Sequence, residues 1–341
     1  MFNDLQDFAQ KLADLPVADV EARERALARQ AQLTKPPGSL GRLEELAVFL
    51  AGWSDNAQPR VDKAKTAIFA GNHGVTAQGV SPYPSEVTVQ MVANFRNGGA
   101  AINAITASVG ADLDVFGLRL EQPTGDIVSG AAMTEAELLE ALNIGASAVT
   151  ADIDILAVGE MGIGNTTVAA ALAASCFGGS GADWAGPGTG LDDQGVGKKA
   201  NVINRALARH SDAMSATDRL RCLGGRELAA IAGAVLAARH RRCPVVVDGY
   251  VASAAIAPLF ADNNEITTHC VAGHKSAEPA HTKLLGKLGL TPVLDLDMRL
   301  GEGTGASLAL AVLRAAAATH NSMATFEEAA VANRSSGSGD D

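Results

Sequence analysis

The stretch Ile153-Asp154-Ile155-Leu156-Ala157-Val158 runs directly into Gly159-Glu160-Met161-Gly162-Ile163-Gly164-Asn165-Thr166-Thr167, and an Ala-rich segment follows. An apolar run without alternation suits a strand covered on both faces, and a glycine loop before a helix suits the turn that leaves such a strand. The same unit recurs along the chain. Apolar runs stand at 66–70, 112–116, 244–247, 266–272 and 291–296, each followed by a Gly- or acid-bearing loop and then a helical pattern. This alternation predicts an α/β fold, a doubly wound, mainly parallel sheet in a three-layer, Rossmann-like arrangement.

In such a sheet the ligand crevice lies at the carboxyl ends of the strands. Those ends carry Gly71-Asn72-His73-Gly74, Gly159-Glu160-Met161-Gly162, Asp248-Gly249-Tyr250, His274-Lys275-Ser276-Ala277-Glu278 and Arg299-Leu300-Gly301-Glu302. The unusual polar residues of the chain therefore fall at one edge.

Outside the sheet, residues 1–58 are helical in pattern and broken by Lys35-Pro36-Pro37-Gly38-Ser39-Leu40-Gly41-Arg42. The expected organisation is a small helical domain from 1–58 and 304–332, a large α/β domain over 59–303, and a disordered polar tail at 333–341. With 341 residues, 47% hydrophobic and 19% charged, there is material for a large core. Glycine, at 36 residues, is well above its usual share of ~7%, consistent with many tight turns facing ligand.

The charge balance of 27 Lys and Arg against 38 Asp and Glu gives −11. Nucleic-acid binding needs a basic face, so it is not expected. Cys176, Cys222, Cys243 and Cys270 form no CxxC pair and read as reduced thiols. The seven His show no metal spacing, and neither a metal nor a cofactor is expected. The longest uncharged stretch, 161–182, is interrupted by Asn165, Thr166, Thr167 and Ser175, so no membrane span is expected. Met1-Phe2-Asn3-Asp4 opens no secretory pattern, and a soluble, cytoplasmic protein is the expectation.

Three loops are candidates for chemistry. Gly162 and Gly164, with Asn165, could bring backbone N–H groups at a helix N-terminus to a phosphate, and Glu160 beside them would suit a ribose hydroxyl. A tight turn capped by Asn165 or Thr166 is the ordinary alternative. The second loop, Gly186-Pro187-Gly188-Thr189-Gly190, leads to Lys198 and Lys199, which read either as a phosphate contact or as a solvated helix face. In the third, Glu302 stands between Gly301 and Gly303. A carboxylate desolvated there would have a raised pKa and suit a general base, or it could simply face a helix dipole. Tyr83, Val87 and Met91 fall at helical spacing and could form an apolar slot for a flat ring, or be plain core.

Six segments in order resemble the nicotinate-nucleotide–dimethylbenzimidazole phosphoribosyltransferase family. They are Lys35–Glu44, Gly71–Val75, Gly159–Thr167, Asp248–Tyr250, His274–Glu278 and Met298–Ala306, spanning roughly residues 30–315. The resemblance implies a large α/β domain, a small helical domain from both chain ends and a homodimer. It also implies transfer of phosphoribose from nicotinate mononucleotide to 5,6-dimethylbenzimidazole, giving α-ribazole 5′-phosphate and nicotinate for the lower ligand of cobalamin. By position it makes Glu302 the catalytic base and Glu160 the acid of the glycine loop. Lys199 becomes the lysine near the phosphate and Arg299 the partner of the nicotinate carboxylate. A non-catalytic nucleotide-binding protein, the same transfer to another base or a phenol, and a dinucleotide dehydrogenase are the rival readings. The last fits poorly, because Gly71-Asn72-His73-Gly74 is no G-x-G-x-x-G.

Overall fold

The structure is a computed structural model that describes residues 1–188 and 190–332; Thr189 and the tail at 333–341 lie outside the described residues. Six strands, β1 (Ala64–Ala70), β2 (Asp112–Gly117), β3 (Ile155–Met161), β4 (Val245–Val247), β5 (Cys270–His274) and β6 (Pro292–Leu294), form one sheet. Their order is β2-β1-β3-β4-β5-β6 and every pairing is parallel. The doubly wound α/β reading thus holds, with shifts in the strand bounds. The apolar run 266–272 opens in the 3₁₀ helix Asn264–His269, so β5 begins only at Cys270. β3 begins two residues later than the apolar run and continues to Met161, so Glu160 belongs to the strand, paired with Phe69 of β1.

Alternation along β1 explains the uninterrupted apolar runs. Ala67 and Phe69 join the main core, while Ile68 faces a second cluster with Phe95, Ala100 and Ile102. Both faces are dry, and the buried polar Thr66 within the strand is paired, its Oγ1 2.8 Å from Ser307 Oγ.

The described chain groups into two compact units, one of Met1–Pro16 with Lys63–Leu310, the other of Val17–Asp62 with the chain from Ala311 onward. The first helix, Leu5–Ala13, therefore groups with the sheet and not with the small helical part to which the sequence pattern assigns it. Its Phe8 and Leu12 are buried in the main core. Within the second unit, Arg29 donates to the carbonyls of His320, Asn321 and Met323, and Lys35 pairs with Glu44 at 2.8 Å.

Helices Glu135–Ser147 and Arg226–His240 pack without side-chain spacers at two points. A Cβ on Gly145 would fall 1.7 Å from the Ala230 carbonyl oxygen, and one on Gly233 would fall 2.1 Å from that of Leu142. Backbone cannot yield as a flexible side chain can. Gly145→Ala is therefore expected to destabilise the fold by about 1–3 kcal/mol through overpacking. Urea unfolding checks this, and an unchanged midpoint would refute so close a packing.

Candidate active site

The chain leaves β1 toward β2 on one side and enters β3 on the other, so the order in which strands are added reverses between β1 and β3. At that point the loops diverge and open a crevice. The segment after β3 lines it with Gly162, Ile163, Asn165 and Thr166. Gly164, at φ +91°, starts the helix Asn165–Phe177, whose N-terminus has no side-chain cap. Gly164 itself stands behind the cavity wall, facing Thr76. Behind Gly162 lies a buried pair that the sequence reading missed, in which His73 Nε2 lies 2.6 Å from Glu227 Oε1.

Glu160 lines the cavity and is buried, with Asn165 Nδ2 donating to its Oε2. Burial, then the charges of Asp248, Glu227 and Glu302, push its carboxyl up to about 8. At neutral pH it is therefore mostly protonated and can donate a hydrogen bond.

Glu302 sits in a turn whose geometry explains its flanking glycines. Gly301, Glu302 and Gly303 have φ of +78°, +60° and +73°, three left-handed residues in succession. For Glu this conformation costs about 1–3 kcal/mol and persists only where the surroundings hold it. The turn lies directly on the sheet edge: a Cβ on Gly159 of β3 would meet Gly303 N at 2.3 Å, and one on Gly273 of β5 would meet Ala306 Cα at 2.6 Å. Asp248, buried just beyond β4, accepts hydrogen bonds from Gly303 N at 3.0 Å and Ala306 N at 2.9 Å, where the helix Thr304–Ser322 begins. Burial and the Asp248 charge push Glu302 up to about 7.

The cavity has a volume of about 710 Å³. Glu302 and Glu160 share it with Tyr83, Val87 and Met91, while Arg299 and Leu300 stand exposed on its wall. Tyr83 is not on a helix, contrary to the spacing argument. The helix begins at Glu86, and Tyr83 precedes it in an irregular stretch before Pro84, yet it still reaches the same wall as Val87 and Met91.

Lys199 is buried behind Gly188 and Thr166, two lining residues, while Lys198 is exposed. Its Nζ donates to Gly186 O at 2.9 Å and to Thr166 Oγ1 at 3.1 Å. Burial lowers its pKa to about 8, with the Glu278 carboxylate opposing that shift. Burial also raises Glu278, which lines the cavity and was not singled out from sequence. Among the described residues no group of three or more His, Cys, Asp or Glu could hold a metal ion. No helix among them is long and apolar enough to cross a membrane.

A switch-point crevice with a helix N-terminus that lacks a side-chain cap, a buried lysine and two carboxyls titrating near neutrality is equipped for nucleotide chemistry. A phosphoribosyltransferase family model, DBI_PRT, matches residues 15–331. The nicotinate-nucleotide–dimethylbenzimidazole phosphoribosyltransferase of Novosphingobium aromaticivorans is 57% identical over 97% of this chain and 98% of its own. That of Roseobacter denitrificans is 54% identical over 97% and 98%. The crystal structure of the Thermus thermophilus enzyme of the same name superposes with a TM-score of 0.86 at 39% identity, covering 92% of this chain and 99% of that one. The chain belongs to the nicotinate-nucleotide–dimethylbenzimidazole phosphoribosyltransferase family.

Proposed function

We propose that this chain transfers phosphoribose from nicotinate mononucleotide to 5,6-dimethylbenzimidazole, releasing nicotinate and α-ribazole 5′-phosphate for cobalamin lower-ligand assembly. The observation that carries the site assignment is Glu302. It is a buried carboxylate in a strained turn, sharing the cavity with Tyr83, Val87 and Met91, with a pKa of about 7. In this reading the acceptor's ring nitrogen forms a bond to the anomeric carbon as the bond to the nicotinate nitrogen breaks, and that electron pair stays on the departing pyridine. Glu302 takes the proton from the acceptor's other nitrogen. The departing ring begins as a pyridinium and leaves neutral at that nitrogen. Holding both reactants in line can supply ~7–11 kcal/mol of the barrier reduction. The displacement inverts β to α.

The donor phosphate is assigned to the N-terminus of the Asn165–Phe177 helix, which has no side-chain cap and where the dipole and Lys199 converge. Protonated Glu160, steadied by Asn165, faces a ribose hydroxyl, and Arg299 on the wall meets the nicotinate carboxylate. The reading also includes a homodimer working in the cytoplasm, for which sedimentation of the active species is the measurement. Product analysis with nicotinate mononucleotide and a panel of bases tests the whole. Faster transfer to adenine or a phenol would replace the acceptor while keeping the reaction class.

The wall of Tyr83, Val87 and Met91 gives a further expectation. Each buried ring methyl is worth only ~0.8 kcal/mol, and Met adapts its shape. Unsubstituted benzimidazole should therefore be a substrate within about tenfold in kcat/KM. Met91→Ala should hurt the dimethyl base more than the bare one. Equal losses would make Met91 ordinary packing.

A further inference from the structure

Asp248 is 1% exposed and does not line the cavity, so it cannot touch substrate there. Yet both of its oxygens are committed to the segment that carries Glu302. Oδ2 takes the N–H of Gly303, the residue after Glu302, and Oδ1 takes that of Ala306 one turn further on. These bonds clamp the left-handed run 301–303 from below while Gly159 and Gly273 let it lie on the strands.

We propose that Asp248 is a positioning residue for the transfer reaction, holding the left-handed turn from which the Glu302 carboxylate meets the acceptor base. This rests on the reading of Glu302 as the base. A strained turn is kept only by contacts that over-determine it, and Asp248 supplies one such contact at Gly303, next to the reacting group, and a second at Ala306. Its oxygens also lie where the helix Thr304–Ser322 begins, whose partial positive end favours an anion.

The charge has a second effect. Glu302 is faced by Asp248 from the end of β4 and by Glu160 from β3, with Arg299 three residues earlier in its own segment. Asp248 is in turn faced by His274 of β5, whose Nδ1 lies 3.5 Å from Oδ1, and Glu227 acts on Glu160 from the Arg226–His240 helix. Lys199 and Glu278, the latter on the cavity lining, act on each other by charge. Of these groups Asp248 is the neighbour whose charge weighs most on Glu302, making its carboxyl a stronger base than burial alone would.

Asp248→Asn keeps the shape but offers one acceptor in place of two and removes the charge. It is expected to lower kcat on the order of tenfold or more, with little change in KM for nicotinate mononucleotide, and to move the acidic limb of the kcat/KM profile to lower pH. Wild-type kcat with an unmoved limb would overturn the proposal. So would a loss spread equally over kcat and both KM values with the limb unmoved, the pattern of general structural damage. Glu302→Gln is assayed alongside. If that variant turns over normally, the base assignment fails and this inference falls with it. If it is inactive while Asp248→Asn behaves as wild type, only the Asp248 role is lost. Should Asp248→Asn not fold, Gly303→Ala strains the same turn, at φ +73°, without altering charge. It must lower kcat with the limb in place, and wild-type kcat there would also overturn the proposal.

Discussion

Glu302→Gln is expected to lower turnover by ~10²–10⁴-fold at saturating substrates, the range that loss of one acid–base group brings. The amide fills the same space but cannot accept the acceptor's proton. In the wild type, burial and Asp248 hold the carboxyl at about 7, so kcat/KM should fall on the acid side as pH drops through about 7, and this limb should vanish in the variant. Stability provides the control. A folded-state pKa of about 7, above the ordinary 4.5, means the folded form retains a proton that the unfolded form has lost between those values. The stabilisation this brings is full below pH 4.5 and is lost as pH rises through about 7. The variant has no such loss, so at pH 8 it should be at least as stable relative to its own acid-pH value as the wild type is. Nicotinate release and urea unfolding at pH 8 read the two effects separately. Turnover within a few-fold of wild type would remove Glu302 from the mechanism.

How much of this was legible in the sequence depends on how far apart the interacting residues are. The six strands could be read because a parallel sheet covered on both faces leaves its strands as continuous apolar runs. The end of β3 could not. Glycine and glutamate at 159 and 160 look like loop, and only the pairing of Glu160 with Phe69 and the approach of Gly303 to Gly159 keep them in the strand. The periodicity at 83, 87 and 91 grouped three residues that do line one cavity, but through a wrong element, because Pro84 and the start of the helix at Glu86 leave Tyr83 outside it. Adjacent positions on a helix point about 100° apart, so whether Lys198 or Lys199 turns inward was a question of burial, which one sequence does not show. The least legible residues were the supports. His73 meets Glu227 across 154 positions, and Asp248 meets Gly303 across 55, and no local pattern encodes such pairs. Asp248 stands in a local motif, but its bonds to Gly303 and Ala306 are long-range and exist only in the folded chain.

Lys199→Ala should raise KM for nicotinate mononucleotide by about tenfold, roughly 1.4 kcal/mol for the loss of a fixed positive charge beside the helix N-terminus, while KM for the base stays within a few-fold. The ammonium is held behind Gly188 and Thr166 by Gly186 O and Thr166 Oγ1, so it reaches the helix N-terminus as a fixed charge. Because burial lowers its pKa to about 8, it stays mostly cationic at pH 7 and loses its charge as pH passes 8. The nucleotide KM of the wild type should therefore climb above pH 8, and that climb should be absent in the variant. The substitution has a side effect that must be separated. Glu278, half of an oppositely charged pair with Lys199, would be left buried without its counter-charge, and breaking one side of such a pair is strongly destabilising. Lys199→Ala with Glu278→Gln removes the orphaned carboxylate and should recover stability without recovering nucleotide affinity. If affinity returns together with stability, the lysine only supports the 186–188 loop. If both substrates lose affinity equally in the single variant, the phosphate is held elsewhere, and the assignment of the helix N-terminus at Asn165 loses its charged partner.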